Sequence, residues 1–324
     1  MNTTPTVRTH RSANRGVFVA TSLVVLLLMG AGMGRATDIT TCGETVAAGD
    51  TADLQADLDC QSGFFGVRLL ARSTLRLNGH SIVGGPTMFA TILGVAYVDD
   101  EEPDEGGRGN FTIIGPGEIA GAGPDFNFFA TTNACVTLQD GRATLTSPTG
   151  VIDIHGCNFG IVGYILEYSA NRARATIDHV VLHDNSQEGI TVRSLTASNV
   201  TAYGNGGTGV NAIKTLVVND VISHDNRGHG VYAGRTVTGT NVTVTGNYNG
   251  VSSNRRVTLT NLSSTGNVGV SGVQAPRVKL TDSVVTGNNS IDILASTLPQ
   301  LVNTTCGTSG AFLTATPWGV CTDD

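Results

Sequence analysis

From residue 176 onward, apolar and polar residues alternate in short segments that recur about every 20 residues. Apolar side chains stand five and three positions before an asparagine that closes a segment, as Val180 and Leu182 do before Asn185. A period of two is typical of a β-strand and not of a helix. The asparagines that end the tripeptides HDN, YGN, HDN, TGN, TGN and TGN are Asn185, Asn205, Asn226, Asn247, Asn267 and Asn288.

A second strand is predicted in each repeat, because Gly-Ile or Gly-Val follows five of these asparagines within a few residues. At about 3.3 Å per residue, one repeat traces roughly 65–70 Å. This length suits one coil, or rung, of a parallel β-solenoid, whereas leucine-rich and helical repeats would show other patterns. Rungs would stack about 4.8 Å apart. The aligned asparagines can then hydrogen-bond along the stack, as Asn ladders do in cross-β structures.

Two further segments are similar to the rungs of a known family. LRLNGHSIVGG (75–85) and NFTIIGPGEIAG (110–121) resemble rungs of exported bacterial parallel β-helix proteins of the pectate-lyase-like superfamily. The resemblance implies an all-β fold, a right-handed parallel β-helix, with an N-terminal cap at 42–60 and a C-terminal cap loop at 303–321. It also implies an exported protein that acts on polysaccharide by lyase, hydrolase or epimerase chemistry, although one fold hosts many activities.

Residues 1–36 have the composition of a secretory signal peptide. Three arginines precede the apolar run 17–34, and small residues lead to Ala36, where we expect cleavage. An uncleaved membrane anchor is the alternative, but the run barely reaches the roughly 20 residues that span a bilayer. We therefore expect a single domain over 37–324, without stable membrane insertion once the signal is removed. This domain would be secreted, periplasmic or displayed at the cell surface.

All six cysteines follow the predicted signal, which indicates disulfides in an exported chain. Loop length favours pairing the first with the second and the fifth with the sixth, which would close the two caps. The separation between the third and the fourth is close to the length of one rung. A disulfide between stacked rungs and a pair of buried thiols are equally good interpretations of them. No C-x-x-C occurs, so no zinc or redox motif is predicted. The cysteines are Cys42, Cys60, Cys135, Cys157, Cys306 and Cys321.

Charge narrows the choice of partners. Residues 1–36 hold four of the 19 Lys and Arg residues and none of the 26 Asp and Glu residues, so the mature chain has a net charge of −11. This excess of acid argues against nucleic acid, because phosphate binding requires a basic face. Six acids fall in VDDEEPDEGGRG (98–109), which we interpret as a solvated loop. A calcium site is the alternative, although the EF-hand spacing is absent; no other cofactor and no metal site are predicted.

Gly-His-Gly at 228–230 matches a motif of the pectin hydrolases of this fold. The acids that accompany the motif in those enzymes are missing from the preceding rung, NGGTG (205–209). An R-x-K is present at 277–279, but it begins more than two rungs after His229. Gly230 belongs to the repeat, so only His229 needs a functional explanation, and hydrolase chemistry is disfavoured.

Titratable residues cluster in the turns of the repeats between 176 and 235. Two aspartates, each next to a histidine, lie two rungs apart, about 9.6 Å, near the 6.5–9.5 Å that separates carboxyl groups in inverting glycosidases. Glu188 and His229 align in another column. A general acid/base site and a solvated turn edge both explain this cluster. The candidates are His183, Asp184, His224, Asp225 and His229 for catalysis, and Glu188, Tyr203 and Tyr232 for substrate binding.

A basic column follows the glycines of the repeat. Its members stand four or five residues after the Gly of each rung and would line about 19 Å of one edge. Such a row predicts a groove for a polyanion such as a uronate polysaccharide. The resemblance to lyases of this fold implies that Lys214 or Arg235 neutralises the carboxylate and abstracts the neighbouring proton. The alternative is a solvated row that discourages edge aggregation. The column is Arg193, Lys214, Arg235, Arg255 and Arg277.

Two functional hypotheses follow. The first is an exported protein that binds, and as an enzyme would process, a polysaccharide or cell-surface glycan, by lyase or epimerase chemistry on an acidic polymer. The second is a non-catalytic surface, adhesive or structural solenoid. Aromatic residues make up only 5% of the chain, with one Trp, so few sugar-stacking platforms are predicted.

Overall fold

The computed structural model of the protein describes residues 37–95, 110–121, 133–139, 141–163, 173–312, 314 and 316–324. The predicted signal peptide and the acidic segment 98–109 lie outside these residues. Every regular element in the described part of the chain is a β-strand. None of the described residues belongs to a helix long and apolar enough to cross a membrane.

The strands are short at first and become long in the region of regular repeats. Those before residue 164 are β1 (Thr37–Ile39), β2 (Glu44–Val46), β3 (Thr51–Leu54), β4 (Leu58–Cys60), β5 (Phe65–Leu69), β6 (Thr74–Arg76), β7 (Ser81–Gly84), β8 (Ala90–Gly94), β9 (Asn110–Ile114), β10 (Gly117–Gly121), β11 (Ala134–Leu138), β12 (Arg142–Thr146), β13 (Ile152–His155) and β14 (Phe159–Gly163). Those after it are β15 (Arg174–His183), β16 (Ile190–Tyr203), β17 (Val210–His224), β18 (His229–Ala233), β19 (Thr236–Thr245), β20 (Asn249–Ser253), β21 (Arg256–Thr265), β22 (Ser271–Ala275), β23 (Arg277–Thr281), β24 (Val284–Thr286), β25 (Ile291–Ala295), β26 (Gln300–Val302), β27 (Thr305–Cys306) and β28 (Ser309–Ala311).

Parallel pairing arranges these strands in three sheets, and each rung passes through the sheets in turn. The first sheet contains β1, β3, β6, β9, β12, β15, β16, β17, β19, β21, β23 and β26. The second contains β4, β7, β10, β13, β15, β16, β17, β19, β21, β24 and β27. The third contains β2, β5, β8, β11, β14, β16, β17, β18, β20, β22, β25 and β28. This topology confirms the predicted parallel β-helix.

Long strands turn the corner from the first to the second sheet at a residue with positive φ. Asn and Asp tolerate this left-handed conformation better than other non-glycine residues. Their side chains also bond across rungs, as Asn241 donates to Asp220 at 2.8 Å. The corner residues in the repeats are His179, Asn199, Asp220, Asn241, Asn261, Asp282 and Asn303.

The asparagines that close the repeats form the predicted ladder, buried inside the solenoid. Each amide Nδ2 from Asn185 to Asn267 donates to Oδ1 of the next ladder asparagine, at 2.7–3.3 Å. The ladder also explains the glycine column. A Cβ atom on Gly209 would lie 2.8 Å from Nδ2 of Asn226, and one on Gly230 would lie 2.7 Å from Nδ2 of Asn247. Only glycine leaves room for the asparagine amides.

The interior is one apolar cluster that extends from Ile39 to Cys306. Three disulfides link the described residues. The two predicted cap pairings, Cys42–Cys60 and Cys306–Cys321, are confirmed. The sequence allowed either a disulfide or two buried thiols at Cys135 and Cys157. The structure has a disulfide between them, and both residues are completely buried. It connects β11 of the third sheet to the turn that follows β13 of the second.

Candidate functional site

An aromatic stack lies at the carboxyl ends of the second-sheet strands. His155, His183, Tyr203 and His224 occupy equivalent positions on successive rungs. Their ring centroids are 4.7, 4.8 and 5.1 Å apart and the planes are nearly parallel. We call this set the His/Tyr stack. The spacing of the rungs brings these equivalent positions into continuous ring contact.

The two aspartates predicted as a carboxyl pair each contact the adjacent histidine. Oδ2 of Asp184 lies 2.9 Å from Nδ1 of His183, and Oδ2 of Asp225 lies 2.8 Å from Nδ1 of His224. Both aspartates are exposed and have positive φ. Their carboxylates fix the orientation of the two imidazoles.

A second column, in the turn between the second and third sheets, holds Glu188 and His229. Thr208 lies between them, since Gly189 N donates to Thr208 O and Gly209 N donates to His229 O. Burial raises the pKa of the Glu188 carboxyl, only partly countered by a backbone hydrogen bond. Burial lowers the pKa of the His229 imidazole. Both shifts favour the neutral form, which places a carboxylic acid and a neutral imidazole two rungs apart.

Two buried polar atoms near this column lack a hydrogen-bond partner in the described part of the chain, Nδ1 of His229 and Oδ1 of Asn211. Asn211 pairs with Tyr232 in the third sheet. The Tyr232 ring stacks against His229 with centroids 5.1 Å apart, and its hydroxyl accepts a hydrogen bond from Asn254 at 3.0 Å. Buried polar atoms without partners are rare in folded proteins, so these two distinguish this region from the fully hydrogen-bonded ladder.

The depressed pKa of His229 makes stability depend on pH. Between the folded pKa and the ordinary value near 6.5, the unfolded chain binds more protons, so stability is lost as the pH falls through this window. We expect His229→Asn to reduce the drop in melting temperature between about pH 7 and pH 5. Glu188→Gln should change the pH dependence in the opposite direction. Because the pKa of Glu188 is raised in the folded protein, wild type loses stability as the pH rises above 4.5, and the variant should lose less. Thermal melts that show the same pH dependence in wild type and His229→Asn would contradict this assignment.

The basic column is longer than the sequence predicted, and its register differs at one end. Arg277 pairs with Arg256 in the first sheet, not with Arg255. Arg277 still lies beside Arg255, since its backbone N donates to Arg255 O at 3.2 Å. The register differs by one residue because the turn before β21 contains two residues, whereas only Pro276 separates β22 from β23.

Two arginines that the repeat did not reveal extend the column toward the N-terminus. Arg142 pairs with Arg174, and Arg174 pairs with Ser194, the neighbour of Arg193. Seven successive rungs therefore place a cation at the turn between the third and first sheets, over roughly 29 Å. We call this set the basic edge. Its members are Arg142, Arg174, Arg193, Lys214, Arg235, Arg255, Arg256 and Arg277.

Cations dominate this edge within the described residues, where none of its members forms an ion pair. The pKa of Lys214 is lowered by desolvation and by the charges of Arg193 and Arg235. Near the C-terminal end a cavity of about 480 Å³ is lined by Arg256, Thr258, Arg277, Lys279, Thr297 and Gln300, among others, and by no acidic residue. The edge thus holds positive charge that is not neutralised by neighbouring side chains.

Sequence reasoning missed two acidic residues beside the His/Tyr stack. Oε1 of Glu118 lies 3.0 Å from Nε2 of His155, and Oδ1 of Asp153 lies 3.1 Å from Nε2 of His183. These residues belong to irregular rungs, in which paired residues are farther apart along the chain than one regular repeat. Only the alternation of polar and apolar residues in EIA and IDI marks them as outward-facing strand positions.

Comparison with known proteins adds little to this description. No protein-family model matches the chain, and no curated protein matches it. The chain is similar to the solved structure of the Dettilon tailspike protein (gp208), with 10% sequence identity and a TM-score of 0.45 over 86% of this chain and 54% of the tailspike. The chain therefore spans about half the length of that protein, and the fold described above rests on the strand pairing itself.

Proposed function

We propose that the protein binds an acidic polysaccharide along the third sheet and the basic edge. The observation that supports this most directly is the run of cations over seven rungs, none of which forms an ion pair with a described residue, in a chain of net charge −7. Like charges on neighbouring strands repel each other. A polymer with a regular series of carboxylates or sulfates would relieve this repulsion all along the edge.

The third sheet provides polar groups for sugar hydroxyls next to these cations. Its outward residues are aligned by the parallel register, and Asn211 and Tyr232 are the pair beside the unpartnered atoms. Hydroxyl groups of a sugar can hydrogen-bond to the half-buried side chains of Asn211 and Tyr232. The outward column is Thr191, Asn211, Tyr232, Ser252 and Gln274.

We further propose that the protein modifies the bound polymer by lyase or epimerase chemistry. The support for this is the pair Glu188 and His229, whose pKa values are shifted in opposite directions by burial. Groups of this kind are suited to proton transfer near neutral pH. In this scheme the neutral His229 accepts the proton next to the uronate carboxylate, which Lys214 or Arg235 of the basic edge neutralises. The protonated Glu188 then gives its proton to the departing glycosidic oxygen in a lyase, or to the opposite face of the same carbon in an epimerase.

The proposal is tested by titrating the purified protein with polygalacturonate, alginate and a glycosaminoglycan, and with neutral dextran as the reference polymer. We expect binding of at least one acidic polymer that weakens with salt, because exposed charges are screened. The triple change Arg193→Ala/Lys214→Ala/Arg235→Ala should weaken it about 10- to 100-fold, since each exposed ion pair contributes up to about 1 kcal/mol.

Arg76→Ala is the matched control, because it removes an exposed cation that Asp53 already neutralises at 3.6 Å. Equal losses in the control and the triple variant, or tighter binding to double-stranded DNA at the same salt, would contradict the proposal. The same mixtures are assayed for unsaturated uronate by ultraviolet absorbance and for epimers by NMR. Binding without either product would restrict the function to recognition.

A further inference from the structure

Two carboxylates and two imidazoles meet on the second sheet, where the irregular rungs join the regular repeats. Glu118 lies directly opposite Asp153 on the neighbouring strand, and His155 lies directly opposite His183. Strand spacing places each pair about 4.8 Å apart at the backbone. The four side chains all point outward from the sheet, so they form a compact patch at one end of the His/Tyr stack.

The contacts within this patch leave one oxygen unsatisfied. Oδ1 of Asp153 is 3.1 Å from Nε2 of His183, yet this buried oxygen has no hydrogen bond of acceptable geometry within the described residues. The second nitrogen of His183, Nδ1, lies 2.9 Å from Asp184. His155 is likewise held at one nitrogen, Nε2, by Glu118. Each imidazole thus has a carboxylate that sets its orientation.

The charges of the patch favour a cation. Carboxylates directly opposite on adjacent strands repel each other, and Glu118 and Asp153 are so placed.

We propose that Asp153, His155 and His183 form a binding site for a divalent transition-metal ion such as Zn²⁺ or Co²⁺. One ligand atom from each of the three lies within 4.8 Å of the others. Two atoms bound to the same ion at about 2.1 Å are no more than about 4.2 Å apart, so coordination requires the two stacked rings to tilt toward each other. Two imidazoles with one carboxylate suit these ions, whereas calcium prefers oxygen ligands alone.

The carboxylates on the other ring nitrogens complete the site. Asp184 accepts from Nδ1–H of His183 and so directs the Nε2 lone pair toward the metal. Glu118 orients the ring of His155 in the same way, through its contact with Nε2. Outer carboxylates of this kind are common behind metal-bound histidines, and their loss typically weakens metal affinity 10- to 100-fold.

The site is tested on the purified protein without a polyhistidine tag, by calorimetric titration with ZnCl₂ and by the visible absorption of added CoCl₂. We expect one ion per chain, weaker binding at acid pH because the ligands must be deprotonated, and no displacement by calcium. His183→Ala should weaken binding at least 10-fold, and Asp184→Asn about 10-fold. His224→Ala is the matched control, because His224 has the same stack position and the same aspartate contact but no partner like Asp153.

Absence of saturable zinc binding, or equal weakening in His183→Ala and His224→Ala, overturns the proposal. Circular dichroism shows whether each variant is folded. If His183→Ala does not fold, Asp153→Asn replaces it, because it removes the charge with little change in volume. An unchanged zinc affinity in a folded Asp153→Asn variant also overturns the site.

Discussion

Replacing Asn226 with alanine is expected to lower the free energy of unfolding by about 4 kcal/mol. Oδ1 of Asn226 accepts from N and Nδ2 of Asn205 at 3.1 and 2.8 Å. Its Nδ2 donates to the backbone oxygen of Ala202 and to Oδ1 of Asn247 at 3.1 and 2.9 Å. The variant leaves the buried backbone N of Asn205 without its partner, which costs about 1–3 kcal/mol. It also removes one bond each from Nδ2 of Asn205 and Oδ1 of Asn247, which keep their bonds to Leu182 O and Asn226 N, at about 1 kcal/mol per lost bond.

Urea denaturation followed by circular dichroism measures this loss, through the shift of the midpoint at constant slope. Asn289→Ala is the matched control. Asn289 is exposed and its side chain donates a single bond, to Val268 O at 3.0 Å, so its loss should cost less than about 1 kcal/mol. Similar midpoints for the two variants would mean that the buried ladder does not stabilise the solenoid.

Removing the central disulfide, by Cys135→Ala/Cys157→Ala, should cost about 3 kcal/mol. The cross-link joins cysteines at a sequence separation of 22, and loops of this size restrict the unfolded chain by roughly that free energy. The bond also joins two adjacent rungs inside the core. Because stacked rungs stabilise mainly their neighbours, we expect the loss of local stability to be greatest in the irregular region around β11 and β13.

Two measurements check this prediction. Thiol titration of the unfolded wild-type protein without reductant should find no free cysteine, whereas two thiols per chain would indicate that Cys135 and Cys157 are unpaired. Urea midpoints should fall equally in Cys135→Ala and in the double variant, since either change removes the bond. A double variant as stable as wild type would show that the cross-link is thermodynamically neutral.

Much of the architecture is predictable because a parallel solenoid translates sequence spacing directly into contact. Where the rungs keep the nearly constant length of the regular repeat, residues at the same place in the repeat lie on neighbouring strands. The ladder from Asn185 to Asn288, the His183–Tyr203–His224 column and the alignment of Glu188 with His229 follow from counting alone. At Arg277, one residue fewer in a turn shifts the paired residue from Arg255 to Arg256, although both arginines stay on the same edge.

Counting could not reach the rungs before residue 176. Their cross-strand partners are farther apart along the chain than one regular repeat, and by differing amounts. Arg142 therefore could not be assigned to the basic edge, nor Glu118 and Asp153 to the patch beside His155, whereas Arg174 lies one regular repeat before its partner Ser194. The pairing of Cys135 with Cys157 was similarly open, since the separation allowed two buried thiols as well as a disulfide.

The sequence alone determined the parallel β-helix, its buried asparagine ladder and the glycines that face that ladder, because these depend on local alternation and a constant repeat length. Only the tertiary structure decided which charged groups meet. Asp184 and Asp225 resemble a carboxyl pair in the sequence, but each is bound to its adjacent histidine. Asp153 contacts His183 from another rung, because side-chain direction and rung length, neither of which the repeat encodes, set the distances between titratable groups.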